Sequence, residues 1–169
     1  KESIDRIAAF ASFLQKETDQ SHRVLLLFNS GIEYISAILA CIFSGRIAVP
    51  MYPLSGNRND DRIIGAVRDC DPRLILSTSD SIKIMKQKIK RISQDDCRRD
   101  PILKSIFDRM IAVDELKNTG AKFNFVSINE NDPILLQYTS GSLADPKGVV
   151  LTLGNVLHNE AMIQKAFGF

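Results

Sequence analysis

The sequence has no tryptophan, only two histidines and only three cysteines in 169 residues. Cys41, Cys70 and Cys97 are odd in number and form no CxxC pair, which argues against a disulfide framework. Cysteines used in this way are typical of a reducing compartment, so we expect a cytoplasmic protein. His22 and His158 lie far apart, without the spacing of metal ligands. A histidine-based metal site or catalytic triad is therefore not predicted.

The sequence is also without extremes of charge or hydropathy. Its 22 basic and 20 acidic residues give a net charge of +2, which excludes a nucleic-acid-binding protein that relies on a basic surface. The most apolar window, residues 35–43, is far shorter than a membrane span, and residues 1–5 have no apolar signal region. With 44% hydrophobic and 25% charged residues, the chain is predicted to form one globular domain with a substantial core.

Short apolar runs alternate with segments of helical period along most of the chain. The runs predict strands, and the periodic segments predict helices. The strands are expected at 24–28, 47–49, 74–78, 110–113, 134–138 and 149–151, and the helices at 2–18, 30–45, 60–70, 79–93, 101–107 and 155–167. This alternation predicts an α/β fold with a parallel-rich sheet covered by helices.

Local patterns predict how the second helix begins and ends. Ser30 and Glu33 have the spacing of a capping box, Gly45 is a plausible stop, and Pro50 is expected to end the strand that follows. The buried stripe of this helix is predicted to be Ile32, Ile35, Leu39 and Ile42.

The later helices give similar predictions. Ser79 or Ser81 is expected to cap the helix of residues 79–93, whose lysines are interpreted as a solvated outer face. Asn155 or a neighbour is expected to cap the last helix, with a stripe through Val156, Asn159 or Glu160, Ile163 and Phe167. The scattered aspartates, Asp69 among them, are interpreted as cap or surface residues.

The most informative stretch is Pro133 to Val150, reading P-I-L-L-Q-Y-T-S-G-S-L-A-D-P-K-G-V-V. It predicts a strand, a hydroxyl- and glycine-rich loop from Thr139 to Ser142, a Pro146–Gly148 turn and a second strand. Exposed backbone N–H groups in such a loop can cradle phosphate, and Lys147 can add a positive charge. A polar hairpin turn is the alternative interpretation. The stretch is not a Walker A loop, and the chain contains neither G-x-G-x-x-G nor a G-x-S-x-G elbow.

Tyr138 to Val149 resembles the signature of the adenylate-forming superfamily, Y-T-S-G-S-T-G-x-P-K-G-V, in register. Residues 24–53 are similar to the N-terminal region of fatty acyl-AMP ligases. The resemblance implies that the chain is the first part of a large N-terminal domain, with residues 1–169 forming a truncated AMP-binding domain. The adenine-binding part, the C-terminal domain and the family's catalytic lysine are expected outside it.

The resemblance also implies a chemistry and a set of binding residues. ATP, with Mg²⁺, and a fatty acid would give acyl-AMP and pyrophosphate, with acyl carrier protein or coenzyme A as a later acyl acceptor. The phosphate-handling residues would be Thr139, Ser140, Gly141, Ser142 and Lys147. We expect the 169-residue chain alone to be inactive.

Three positions depart from the family pattern. Leu143 replaces a threonine, Ala144 replaces a glycine, and Thr152–Leu153 replaces a Ser-His pair. Losing a hydroxyl that bonds phosphate would cost about 1.5–3 kcal/mol, and alanine at positive φ about 1–2 kcal/mol. These departures leave open a non-catalytic scaffold domain with an eroded phosphate loop. An acyl-CoA synthetase is the other alternative, because the insertion that is characteristic of the ligases is expected in a later part of the domain.

Overall fold

The structure is a computed structural model that describes residues 2–55, 60–92, 101–116, 122–139 and 147–168. Its helices are α1 (Glu2–Glu17), α2 (Ile32–Phe43), α3 (Asp60–Cys70), α4 (Ser79–Ile92), α5 (Pro101–Asp108) and α6 (Leu153–Phe167). Its strands are β1 (Arg23–Leu27), β2 (Ile47–Met51), β3 (Leu74–Ser77), β4 (Met110–Ala112), β5 (Pro133–Thr139) and β6 (Lys147–Thr152), and a short 3-10 helix covers Val113–Glu115.

The six strands form one sheet in the order β4-β3-β1-β2-β5-β6. The first five strands run parallel, and β6 returns antiparallel to β5. The predicted α/β fold with a parallel-rich, helix-covered sheet is confirmed.

The central strand β1 is buried on both faces, which explains its continuous apolar run. Val24 and Leu26 belong to a core with α1 and α2 on one face of the sheet. Leu25 and Leu27 belong to a second core, formed with α3, α4 and α5, on the other face. Successive strand residues point to opposite faces, so one strand supplies both cores.

The buried face of α2 differs from the prediction. Ile32 and Ile35 are 44% and 53% exposed, whereas the buried residues are small: Ser36, Ala37, Ala40 and Cys41. The helices α1 and α2 pack closely against each other, and bulky side chains on α2 would separate them, so small side chains form its side of the contact. The predicted capping box is also wrong, because Gly31 is the N-cap and no side chain caps the helix.

Other predicted boundaries need smaller corrections. Pro50 lies within β2, opposite Leu26, because the β2–β5 ladder pairs only at Ala48 and does not require an N–H there. Thr78 caps α4, since its Oγ1 accepts from the Ser81 N–H at 3.2 Å. The stop at Gly45 is confirmed by its φ of 76°.

The last helix, α6, contains no buried residue. Its N-cap is Thr152, which forms a capping box with Asn155. The predicted cap residue, Asn155, therefore takes part in the capping box but is not the N-cap. Of the predicted stripe, Val156 is half-buried, while Ile163 and Phe167 are exposed. Within the described ranges, no helix combines the length and apolarity needed to cross a membrane.

Candidate functional site

A cleft of about 590 Å³ lies at the edge of the sheet where the parallel strands end. Phe28 follows β1, Tyr52 and Pro53 follow β2, and Tyr138 and Thr139 end β5 at this edge. Ligands of parallel α/β sheets bind outside the carboxyl ends of the strands. The position of the cleft therefore makes it the candidate site.

The β5–β6 hairpin brings two of the predicted phosphate residues together. Thr139 and Lys147 are opposite each other in the antiparallel register, and both are exposed. Side chains at opposite positions point to the same face of a ladder, about 4.5–5.5 Å apart at Cβ. A hydroxyl and an ammonium group thus stand on one face at the two ends of the connecting loop.

Residues 140–146 lie outside the described residues. The predictions for Ser140, Gly141 and Ser142, and the departures at Leu143 and Ala144, therefore stay predictions. The strands are longer than expected, because Thr139 is the last residue of β5 and Lys147 and Gly148 belong to β6. Placing Thr139 in the loop and Lys147–Gly148 in a turn was wrong, since pairing in the ladder continues through both positions.

The wall of the cleft includes four aromatic residues, Phe28, Tyr34, Tyr52 and Tyr138. Tyr52 is 78% exposed. Burial, and then the neighbouring Tyr52, raise the pKa of Tyr34. The Asp60 carboxylate accepts from the Ser55 backbone N–H at 2.8 Å, and Arg62 adds an exposed guanidinium to the lining. The cleft thus combines aromatic side chains with a cationic one.

Asp69 has a more specific position than the sequence indicated. Its carboxylate accepts a hydrogen bond from the Tyr138 hydroxyl at 2.5 Å, although the two residues are 69 positions apart. Asp69 was predicted to be a cap or surface residue; it is exposed, but it also joins the end of α3 to the end of β5.

Sequence reasoning did not select the cleft residues Tyr34, Tyr52, Arg62 and Gln137. A signal for Tyr52 was available, because it follows a predicted strand whose carboxyl end had to meet that of β5 in a parallel sheet. Arg62 and Tyr34 lie on helices, and only the packing of α3 and α2 on the sheet brings them to this edge.

The chain matches the AMP-binding enzyme family over residues 1–169. It belongs to this family of AMP-binding enzymes. The resemblance in residues 138–149 and the α/β fold agree with that membership.

Two curated relatives indicate the branch of the AMP-binding enzymes. The chain is 31% identical over 173 residues to the medium-chain-fatty-acid–[acyl-carrier-protein] ligase JamA of Moorena producens, covering 100% of this chain and 28% of the relative. It is 32% identical over 146 residues to the long-chain-fatty-acid–AMP ligase FadD23 of Mycobacterium tuberculosis, covering 86% of this chain and 23% of the relative. The chain thus spans about a quarter of the length of these relatives.

A solved structure agrees with this AMP-binding fold. The fatty acid AMP ligase from Legionella pneumophila matches with a TM-score of 0.81 and 31% identity, over 99% of this chain and 27% of that chain. The six-stranded, mostly parallel sheet is therefore the arrangement found in the N-terminal domain of adenylate-forming enzymes.

Proposed function

We propose that the chain is the phosphate-binding part of a longer ligase that activates a fatty acid with ATP. A carboxylate oxygen attacks the α phosphorus, the bond to the pyrophosphate oxygen breaks, and acyl-AMP and pyrophosphate form. The observation that supports this proposal most is the position of Thr139 opposite Lys147 at the carboxyl edge of an AMP-binding fold.

The two described residues have distinct roles in this proposal. The Lys147 ammonium group is a flexible positive charge that binds phosphate oxygens and stabilises the charge that develops on the leaving pyrophosphate. The Thr139 hydroxyl donates to a phosphate oxygen on the same face. Ser140, Gly141 and Ser142 are proposed to add loop N–H and hydroxyl donors between them. No proton transfer is assigned to Lys147.

ATP supplies the phosphorus that is attacked and the group that leaves. The residues present suit its phosphates, since hydroxyl and ammonium donors are the groups that bind such oxygens. In the part of the chain that the structure describes, no three His, Cys, Asp or Glu side chains cluster to hold a metal. Mg²⁺ usually keeps several waters and binds through phosphates and one or two carboxylates, so it would arrive with the nucleotide. Neither role above depends on it.

The binding role is tested by isothermal titration of the 169-residue chain with pyrophosphate. Lys147→Ala is expected to weaken binding about tenfold to a hundredfold, the order expected for a hydrogen bond to a charged group. Lys86→Ala is the matched control, because Lys86 is also exposed but lies on α4. Undetectable binding by the natural chain, or equal losses in the two variants, contradicts the proposal.

The reaction is tested by fatty-acid-dependent release of pyrophosphate from a full-length protein that carries this chain. Acyl transfer to holo acyl carrier protein, rather than to coenzyme A, is the expected second step, because JamA is named as an acyl-carrier-protein ligase. Efficient transfer to coenzyme A would instead support the acyl-CoA synthetase alternative.

A Leu143→Thr/Ala144→Gly variant separates a weak enzyme from a scaffold. If the natural protein turns over and the variant gains modestly, adenylation is supported and the departures tune the loop. If neither version turns over or binds ATP, the non-catalytic scaffold is favoured.

A further inference from the structure

One contact next to the phosphate loop has no part in the roles assigned above. Tyr138 immediately precedes Thr139, and its hydroxyl donates to the Asp69 carboxylate at 2.5 Å. Asp69 is the penultimate residue of α3, so the bond joins a helix on one face of the sheet to the loop end of the β5–β6 hairpin. Tyr138 also packs against the apolar core beneath α3.

Gly148 shows how closely the same tyrosine approaches the second strand. A Cβ at this position would lie 3.2 Å from Tyr138 Cζ and 2.9 Å from Leu136 Cδ1. Gly148 is opposite Tyr138 in the register, one step from the Thr139–Lys147 pair. The tyrosine ring therefore lies directly against the β6 backbone where the loop begins and ends.

The hydroxyl is suited to a permanent hydrogen bond and unsuited to proton transfer. Burial, and then the hydrogen bond to Asp69, raise the pKa of Tyr138 well above its ordinary value. The Cys70 thiol faces the same hydroxyl, and burial raises its pKa as well. Arg23, whose guanidinium donates to the Cys70 carbonyl oxygen, is the nearby cation. Tyr138 thus stays a neutral donor at physiological pH.

We propose that Tyr138, held by Asp69 and seated on Gly148, is a positioning residue that fixes Thr139 and Lys147 for phosphate binding. This inference rests on the proposed function. The bond to α3 sets where β5 ends relative to the cleft, and the contact with Gly148 sets the position of β6. Without them the ladder still forms, but the hydroxyl and the ammonium group lose a fixed orientation.

The variants are chosen to separate positioning from general stability. Tyr138→Phe removes only the hydroxyl, and Asp69→Ala removes only its acceptor. Asp69→Asn keeps a carbonyl oxygen that can accept from Tyr138, and it is expected to retain most of the pyrophosphate affinity of the natural chain. Thr18→Val is the control. It removes the two hydrogen bonds of the Thr18 hydroxyl, which accepts from Arg46 Nε at 2.9 Å and donates to the Leu14 carbonyl oxygen at 2.6 Å. It should therefore lower stability without changing a contact of the hairpin.

Pyrophosphate affinity is the first readout. Tyr138→Phe and Asp69→Ala are each expected to weaken binding by the 169-residue chain about tenfold, the lower end for a hydrogen bond to a charged group because Asp69 is exposed. The double variant should be no weaker than either single one, because both remove the same bond. Thr18→Val should leave the affinity within about twofold at a comparable loss of unfolding free energy.

Tyrosine ionisation gives an independent readout. The chain has three tyrosines and no tryptophan, so the difference between the tyrosinate absorbance of the natural chain and that of Tyr138→Phe reports on Tyr138. Because Asp69→Ala removes the hydrogen bond but leaves the burial, the pKa of Tyr138 should fall, and Tyr138 should ionise at a lower pH in Asp69→Ala than in the natural chain.

The outcomes distinguish this inference from the proposed function. If the natural chain binds pyrophosphate and Tyr138→Phe binds it equally well, or no worse than Thr18→Val, positioning by Tyr138 is wrong and phosphate binding stands. If the natural chain does not bind pyrophosphate, both proposals fail together.

Discussion

Arg46 is the buried charged residue that ties the first two helices to the sheet. Its side chain is only 5% exposed, and its Nε donates to Thr18 Oγ1 at 2.9 Å. Its two terminal nitrogens donate to the backbone oxygens of Ser44 and Thr18. Burial lowers the pKa of the guanidinium, opposed by the Asp19 carboxylate, but arginine remains charged in proteins. Arg46 therefore joins the C-terminal end of α1 to the C-terminal end of α2.

Arg46→Met should be among the most destabilising single substitutions. It leaves the Ser44 and Thr18 carbonyl oxygens without their donor, and each unpaired buried group costs about 1–3 kcal/mol. We expect a loss of about 2–4 kcal/mol in the free energy of unfolding, measured by urea denaturation. Arg73→Met is the control, since Arg73 is exposed and should change stability by less than about 0.5 kcal/mol. Equal losses in the two variants would contradict the assigned role.

Among the elements, α4 depends on a contact with a distant part of the chain. Ser79, its first residue, donates to the Asp114 carboxylate from its backbone N–H at 2.8 Å and from its hydroxyl at 2.6 Å. Desolvation acts to raise the pKa of Asp114, but the hydrogen bonds from Ser79 outweigh it, and the pKa lies below its ordinary value. A carboxylate near a helix N-terminus also interacts favourably with the helix dipole.

The contribution of Asp114 should disappear in acid. Its pKa is lower in the folded than in the unfolded chain, so the stabilisation is complete above the unfolded pKa and is lost as pH falls through the folded one. The stability difference between the natural chain and Asp114→Asn is therefore expected to be constant above about pH 5 and to shrink as the pH falls below that value. Asp108→Asn serves as control, because no hydrogen bond of the Asp108 side chain is found among the described residues. A difference that stays constant with pH would show that the charge of Asp114 has no role.

The helices and strands themselves were better predicted from the sequence than the buried faces and the N-caps of the helices. β1 was predictable because a strand buried on both sides must be apolar throughout. The buried face of α2 was not, because its partner α1 selects small residues, and hydrophobicity alone favoured the isoleucines. The caps at Thr78 and Thr152 were missed by one to three positions, since several neighbouring hydroxyl and amide residues could have served.

In the candidate site, too, one contact could be predicted from the sequence and another could not. The pairing of Thr139 with Lys147 follows from a motif local in sequence, whereas the Tyr138–Asp69 bond joins residues 69 positions apart. No periodicity indicates which surface aspartate faces which strand end. The packing of α3 on the sheet decides it, and this packing is a property of the folded chain.

For the whole molecule, exposed apolar side chains concentrate at one end of the sheet. The β6–α6 surface consists of Val149, Val150, Leu157, Met162 and Phe167, which are between 45% and 72% exposed. In the described part of the chain, β6 pairs only with β5 and has an open edge. Exposed apolar side chains beside an open strand edge favour association with another chain.

The 169-residue chain by itself should therefore self-associate through the β6–α6 surface. At about 100 µM, sedimentation velocity is expected to show dimers or larger species, because this concentration lies in the range where exposed apolar edges associate. Val150→Lys/Met162→Lys should shift the chain toward monomer, since each charge opposes burial of the surface. Ile4→Lys is the matched control: Ile4 is 70% exposed but lies on α1, outside this surface. If the natural chain is monomeric, or if Ile4→Lys shifts the chain toward monomer as much as Val150→Lys/Met162→Lys does, the exposed apolar residues of β6 and α6 do not govern association.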